Sequence, residues 1–183
     1  MVTRKDLKKK YALVSVYDKK KLGYLCKNLL KNNYSLVSTG TTYKKIKSLG
    51  LSCLEISKIT KYKEMMGGRV KTLNPKIFGS ILYLRDNQSH IKEFIKLNTP
   101  KIDLVVVNFY PFKIFSQKNN FNETMEMIDI GGPSLIRAAS KNFNSVTTIC
   151  SINDYYKLID NLKINNGDTD IKFRKRMAAK AFD

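Results

Sequence analysis

Ile102–Asn108 (IDLVVVN) is an unbroken run of mostly branched apolar residues. A strand reads this way when both of its faces are buried, as inside a parallel sheet covered on two sides. The rest of the chain supplies the partners. Tyr11–Val16 (YALVSV) and Tyr34–Ser38 (YSLVS) are short β-rich runs, and Ser52–Ile56 (SCLEI) and Ser145–Cys150 (SVTTIC) are further strand candidates. Helical spacing lies between and after them. Leu22, Leu25, Leu29 and Leu30 recur within Lys19–Lys31, Ile46 and Leu49 share one face of Thr42–Leu49, and Asn153–Leu162 follows the last strand. Asp170–Asp183 is a basic amphipathic helix carrying Met177, Ala178, Ala181 and Phe182. Strands alternating with helices predict an α/β domain of right-handed βαβ units: a mostly parallel sheet of about five strands with helices on both faces. In such sheets ligands sit beyond the carboxyl ends of the strands, so residues with chemistry to perform are sought directly after each strand.

The 183 residues fit a single domain over 1–183, and the 43% apolar content is enough to fill its core. No apolar run reaches the ~18 residues of a membrane span. The basic N-terminus is followed only by the short ALVSV stretch, too little for a signal peptide. Cys26, Cys53 and Cys150 are too widely spaced for a metal cluster or a disulfide framework, and a single His argues against a His-ligated zinc. The expectation is a reduced, cytoplasmic protein. Thirty-four Lys and Arg against 15 Asp and Glu give a net charge of +19. That charge is mostly Lys scattered along the chain, without aromatic interleaving or an Arg-rich helix, so solvated faces explain it better than specific nucleic-acid binding.

Four segments after strands carry polar or Gly-rich sequence. The first is Ser15-Val16-Tyr17-Asp18-Lys19, and the second is Ser38-Thr39-Gly40-Thr41-Thr42 entering a helix. A small hydroxyl-rich turn at a helix N-terminus offers N–H groups and the positive dipole end to a phosphate; the plainer account is an ordinary N-cap. The third runs from Glu64 to Lys76 (EMMGGRVKTLNPK). In an extended loop Arg69 and Lys71, two apart, would point the same way toward one anion. The fourth joins the exit Asn108-Phe109-Tyr110-Pro111 to Ile128-Asp129-Ile130-Gly131-Gly132-Pro133, which opens a helix reaching Arg137 and Lys141. Asp129 is either a capping residue or a carboxylate held reactive in apolar company near a cation.

SVYDKK, STGTT, EMMGGRVKTLNPK, IDLVVVNFYPF and IDIGGPSLIRAASKN occur in an order and spacing that resemble the N-terminal domain of the bifunctional purine-biosynthesis family, which joins AICAR transformylase to IMP cyclohydrolase. The resemblance covers about Ala12 to Phe182 and implies the cyclohydrolase half alone, with a methylglyoxal synthase-like fold and no transformylase domain in this chain. The activity it implies is dehydrative closure of 5-formamidoimidazole-4-carboxamide ribotide to IMP. Nucleotide-binding positions then fall on Tyr17, Asp18, Lys19, Thr39, Gly40, Thr41, Thr42, Arg69, Val70, Lys71, Thr72, Val107, Asn108, Asp129 and Ile130. Lys141 takes the place of the proton donor, with Lys71, Tyr110 and Asp129 as the other catalytic positions. The implied partners are a small purine nucleotide and a second copy in a homodimer, with no nucleic acid, membrane, metal or organic cofactor.

The chain departs from the family at Tyr17 (usually Ser), Thr41 (usually Gly), and Asn74 and Phe78 (usually His). A bulky phenol at Tyr17 and the lost freedom of Gly at Thr41 bear on ligand contact. The expected chemistry is closure between two groups of one substrate, helped by proximity. Asp129 serves as base or orienter of the carboxamide, Lys141 as proton donor, and Lys71 and Tyr110 as stabilisers of the oxyanion. Lys71 and Lys141, brought together, would lower one another's pKa. The rival expectation is a weakened regulatory module of the same fold that binds a nucleotide or phosphate without turning it over.

Overall fold

A computed structural model of the chain describes residues 9–62, 65–66, 70–109 and 121–182. Five strands form one all-parallel sheet: β1 (Lys10–Val16), β2 (Tyr34–Ser38), β3 (Leu54–Glu55), β4 (Ile102–Asn108) and β5 (Thr147–Ile149), in the order β3-β2-β1-β4-β5. The helices among the described residues are α1 (Leu22–Lys31), α2 (Gly40–Ser48), α3 (Ile56–Thr60), α4 (Pro75–Leu82), α5 (Gln88–Leu97), α6 (Phe121–Glu126), α7 (Gly131–Lys141), α8 (Tyr155–Ile164) and α9 (Ile171–Lys180). The α/β class, the parallel sheet and its covered faces follow the sequence expectation.

Strand alternation sorts the core into two layers. Ala12, Val14, Val16, Leu36, Leu104 and Val106 face α1, α2, α8 and α9, where Leu25, Ile46, Tyr155, Leu158 and Phe173 are buried. Leu13, Val37, Val105 and Val107 face the other way, onto Ile56, Ile77, Ile81, Leu135 and Ala139 of α3, α4 and α7. β4 is buried on both sides, which is why its sequence shows no alternation.

Several boundaries differ from expectation, each for a local reason. The helix expected from Lys19 begins at Leu22: Asp18 Oδ1 accepts the Lys20 N–H at 2.8 Å, and Lys21 sits in the left-handed region at φ 57°. The strand expected over Ser52–Ile56 pairs only at Leu54 and Glu55, after which Ile56 turns into α3 and is buried. The strand expected over Ser145–Cys150 shortens to Thr147–Ile149. The helix expected from Asn153 becomes a 3-10 turn (Ile152–Asp154) followed by α8. Within the C-terminal helix Asp170 is the cap, accepting the Phe173 N–H at 2.7 Å. Helices α3 to α6 were not anticipated; α4 begins where Asn74 accepts the Lys76 N–H at 2.9 Å ahead of Pro75.

The sheet order creates a break in direction. β1, β2 and β3 step to one side, and β4 and β5 are laid down on the other side of β1. The chains leaving β1 and β4 therefore diverge, opening a crevice at their carboxyl ends.

Candidate functional site

A cavity of about 540 Å³ occupies that crevice. Its walls come from the β1 exit (Ser15 to Tyr17, with Lys19), the β2 exit (Thr39 to Thr42), Lys71 and Thr72, Asn108 at the end of β4, and Asp129 to Gly132 entering α7. Polar and charged groups from these separate segments thus converge where the topology predicts a ligand.

The turn after β2 carries the requirement for glycine at Gly40, whose φ is 54°. Thr41 has no such strain, so its departure from glycine does not distort the turn. The Thr39 side chain does not cap α2. The N-terminus of this nine-residue helix faces the cavity with its positive dipole end.

Asp129 caps α7: its Oδ1 accepts the Gly132 N–H at 2.9 Å. This contact demands small residues. A Cβ on Gly132 would run into Asp129 Oδ2 and stand 3.0 Å from Val107 Cγ1, and one on Gly131 would stand 2.8 Å from Thr72 Oγ1. The Gly-Gly pair therefore lets α7 approach β4 and Thr72 closely while holding the carboxylate at the cavity wall.

The expected site residues divide into several groups. Tyr17, Lys19, Thr39, Gly40, Thr41, Thr42, Lys71, Thr72, Asn108, Asp129 and Ile130 line the cavity together. Val70 is placed just before this wall and forms an antiparallel bridge with Met65. Val107 does not line the cavity; its side chain is buried in the core beneath it. Asp18 serves the turn itself through Lys20. Arg69 and Tyr110, with Glu64, Gly67, Gly68, Pro111 and Phe112, lie outside the described residues.

Lys141 does not share the cavity of its own chain. It is exposed at the last position of α7, whose first two residues line the cavity. The ten steps from Gly131 to Lys141, at about 1.5 Å each, place it about 15 Å along the helix, farther than a lysine side chain reaches. Lys71, at the cavity wall, and Lys141 of the same chain are thus not neighbours. At that position the Lys141 ammonium complements the negative end of the helix dipole.

The two histidine departures also fall off the cavity. Asn74 caps α4, and Phe78 packs against the second core layer. Sequence reasoning missed Met125, Glu126 and Ile128, which complete one wall. The spacing of Phe121, Met125 and Ile128 is a helical signal that could have revealed α6.

Comparisons with known proteins agree with this fold. A model described as MGS-like domain matches residues 21–134, and one described as AICARFT/IMPCHase bienzyme matches residues 139–183. The bifunctional purine biosynthesis protein PurH of Clostridium botulinum (strain Langeland) is 45% identical over 175 residues, covering 95% of this chain and 35% of its own length. That of Clostridium beijerinckii is 43% identical over 176 residues, covering 96% and 35%. The chain therefore spans about a third of the length of these curated relatives. A solved structure described as the crystal structure of ForH superposes with a TM-score of 0.83 at 29% identity, covering 94% of this chain and 89% of that one.

Proposed function

We propose, from the premise that this chain belongs to the MGS-like domain family and matches the purine biosynthesis proteins over 95% of its length, that its cavity closes the purine ring of IMP. The substrate is 5-formamidoimidazole-4-carboxamide ribotide. The observation that carries this reading is the convergence of Lys19 and the Thr39–Thr42 helix end with Lys71, Thr72 and Asp129 around one cavity. The first group suits a phosphate, and the second suits proton and oxyanion chemistry.

In the reaction the carboxamide nitrogen attacks the formyl carbon. A C–N bond forms, the carbonyl oxygen becomes a hydroxyl, and that hydroxyl leaves as water whose hydrogens come one from the carboxamide nitrogen and one from the formamide nitrogen, which ends in a C=N bond. Both reacting groups belong to one molecule, so holding them face to face removes much of the barrier. Asp129 is restricted to acceptance when ionised, so it orients the amide N–H and takes its proton. The Lys71 ammonium faces the developing oxyanion. No step requires a metal or an organic cofactor.

The position of Lys141 bears on assembly. A proton donor must come within hydrogen-bond reach of the departing oxygen. Lys141 meets that condition only as Lys141 of the partner subunit in a homodimer, its own cavity being about 15 Å away. Shared sites make inactive variants complement one another. Lys71→Ala and Lys141→Ala are each expected to lower turnover by about a hundredfold. Mixing the two after dissociation and reassociation restores substantial IMP formation, because half of the sites in a mixed dimer then carry both lysines. Spectroscopic detection of IMP reads this directly. If the parent chain binds IMP but forms none, it is a nucleotide-binding module; if Lys141→Ala keeps full turnover, Lys71 and Asp129 act without it.

A further inference from the structure

Two residues expected to touch nucleotide spend their side chains on the protein instead. The Asn108 Oδ1 accepts the N–H groups of Tyr17 at 2.7 Å and Asp18 at 2.9 Å, and its Nδ2 donates to the Asp18 carbonyl at 2.9 Å. Three of the four hydrogen-bonding positions of the amide are thereby used. On the opposite side, the Thr42 hydroxyl accepts the Val16 N–H at 3.1 Å and donates to the Val16 carbonyl at 2.9 Å. The β1–β2 ladder has already ended at Val14 and Ser38, so Thr42 stands in for the missing strand partner. Thr42 is 3% exposed, and the buried Tyr155 hydroxyl has no hydrogen-bond partner among the described residues.

The segment gripped in this way is the turn that presents Lys19. The Lys19 Nζ lies over the same turn, 3.0 Å from the Tyr17 carbonyl and 3.4 Å from that of Val16. Residues 17–19 leave the strand at the break in sheet direction, β1 having lost its β2 neighbour after Val14 and its β4 neighbour after Val16. Without side-chain partners, their polar backbone would have no ladder to hold it in one conformation.

We infer that Asn108 and Thr42 are positioning residues: a two-sided clamp that fixes the Val16–Lys19 turn so that the Lys19 ammonium and the α2 N-terminus meet a nucleotide phosphate as one preformed site. This rests on the nucleotide reading of the cavity. It differs from direct contact in where the effect of a substitution first shows. A contact residue alters only the complex, whereas a clamp residue alters the free protein.

The test uses Asn108→Ala, Thr42→Val and Thr42→Ser in the full chain. Hydrogen exchange by mass spectrometry, without ligand, follows the amides of Tyr17 and Asp18; calorimetry with IMP and steady-state kinetics with the formamido ribotide follow function. The clamp predicts that Asn108→Ala and Thr42→Val each speed exchange in this turn by about tenfold or more while β4 and the α7 core stay protected. Each raises KM about tenfold and lowers kcat by less than about threefold, because a mobile phosphate site weakens binding of ground and transition states alike. Thr42→Ser, which keeps the hydroxyl, restores slow exchange and low KM. The double variant loses less affinity than the separate losses combined, since one turn cannot be released twice. Slow exchange in the free variants together with weakened IMP binding would overturn the clamp in favour of direct contact. Unchanged exchange and unchanged affinity would overturn it outright. Failure of the parent chain to bind IMP would remove the nucleotide reading, and the exchange experiment would still decide whether the clamp exists.

Discussion

Gly132→Ala sets two physical effects against each other. Alanine is the better helix former and loses less backbone entropy on folding, a gain of up to about 1 kcal/mol inside an ordinary helix. At Gly132, however, the added Cβ collides with Asp129 Oδ2 and stands 3.0 Å from Val107 Cγ1. Val107 is 1% exposed on the interior strand β4 and has nowhere to retreat. The carboxylate must therefore swing away, giving up its 2.9 Å bond from the Gly132 N–H. Losing that cap costs about 1 kcal/mol, and crowding against Val107 costs about 1–3 more. After the helix gain is set against these losses, the variant is less stable by about 1–3 kcal/mol. A chain of this size then melts about 2–4 °C lower for each kcal/mol. On the proposed ring-closing reading, displacing Asp129 by about an ångström also lowers IMP formation, by about a hundredfold where geometry controls the barrier. Thermal melting followed by circular dichroism and the IMP assay measure the two effects on one preparation. The decisive control repeats Gly132→Ala in an Asp129→Ala background, where the carboxylate is no longer there to be struck. The stability penalty shrinks there if the close approach is its cause. An unchanged penalty, or a Gly132→Ala protein as stable and active as the parent, would refute the reasoning.

The Cys26 thiol, fully buried, is pushed up to about 12 by burial first and by Cys53 second. The fold thus favours the thiol over the thiolate, so this contribution to stability is complete below the ordinary value of 9.0 and is lost as pH rises toward about 12. Cys26→Ala flattens that part of the alkaline limb in urea titrations across this range, and alkylation of Cys26 at pH 8 keeps pace with global unfolding; rapid labelling of the native chain would show the site to be open. Asn74→Ala removes the side-chain acceptor of the 2.9 Å bond that starts α4 and lowers stability by about 1 kcal/mol, read from denaturant midpoints. Because Asn74 does not line the cavity, KM for the ribotide is the quantity expected to move least.

The five strands and the helices α1, α2, α7, α8 and α9 were legible between Tyr11 and Phe182, because hydrophobic periodicity is a local property of the chain; α3 to α6 were not. β2 and β4 kept their expected limits, since a run buried on both faces is marked by composition alone. The boundaries that moved depended on groups distant in sequence or on backbone conformation: Ile56 left its strand for α3, buried in the layer it shares with Ile77 and Leu135, and Lys21 entered the left-handed region before α1. The motifs also named most of the cavity wall, because a turn rich in glycine, hydroxyls and lysine is chemically conspicuous wherever it lies. Only the tertiary structure decided what each side chain does there. Asn108 and Thr42 look like ligand contacts in a motif, yet their hydrogen bonds go to a turn 90 and 26 residues away. Lys141 stands in the motif that opens with Asp129, but a helix advances 1.5 Å with every residue and carries it about 15 Å from the carboxylate's end. Sequence specifies which groups are present and their local conformation; the distances that assign their roles arise when the sheet order brings the ends of β1, β2 and β4 together.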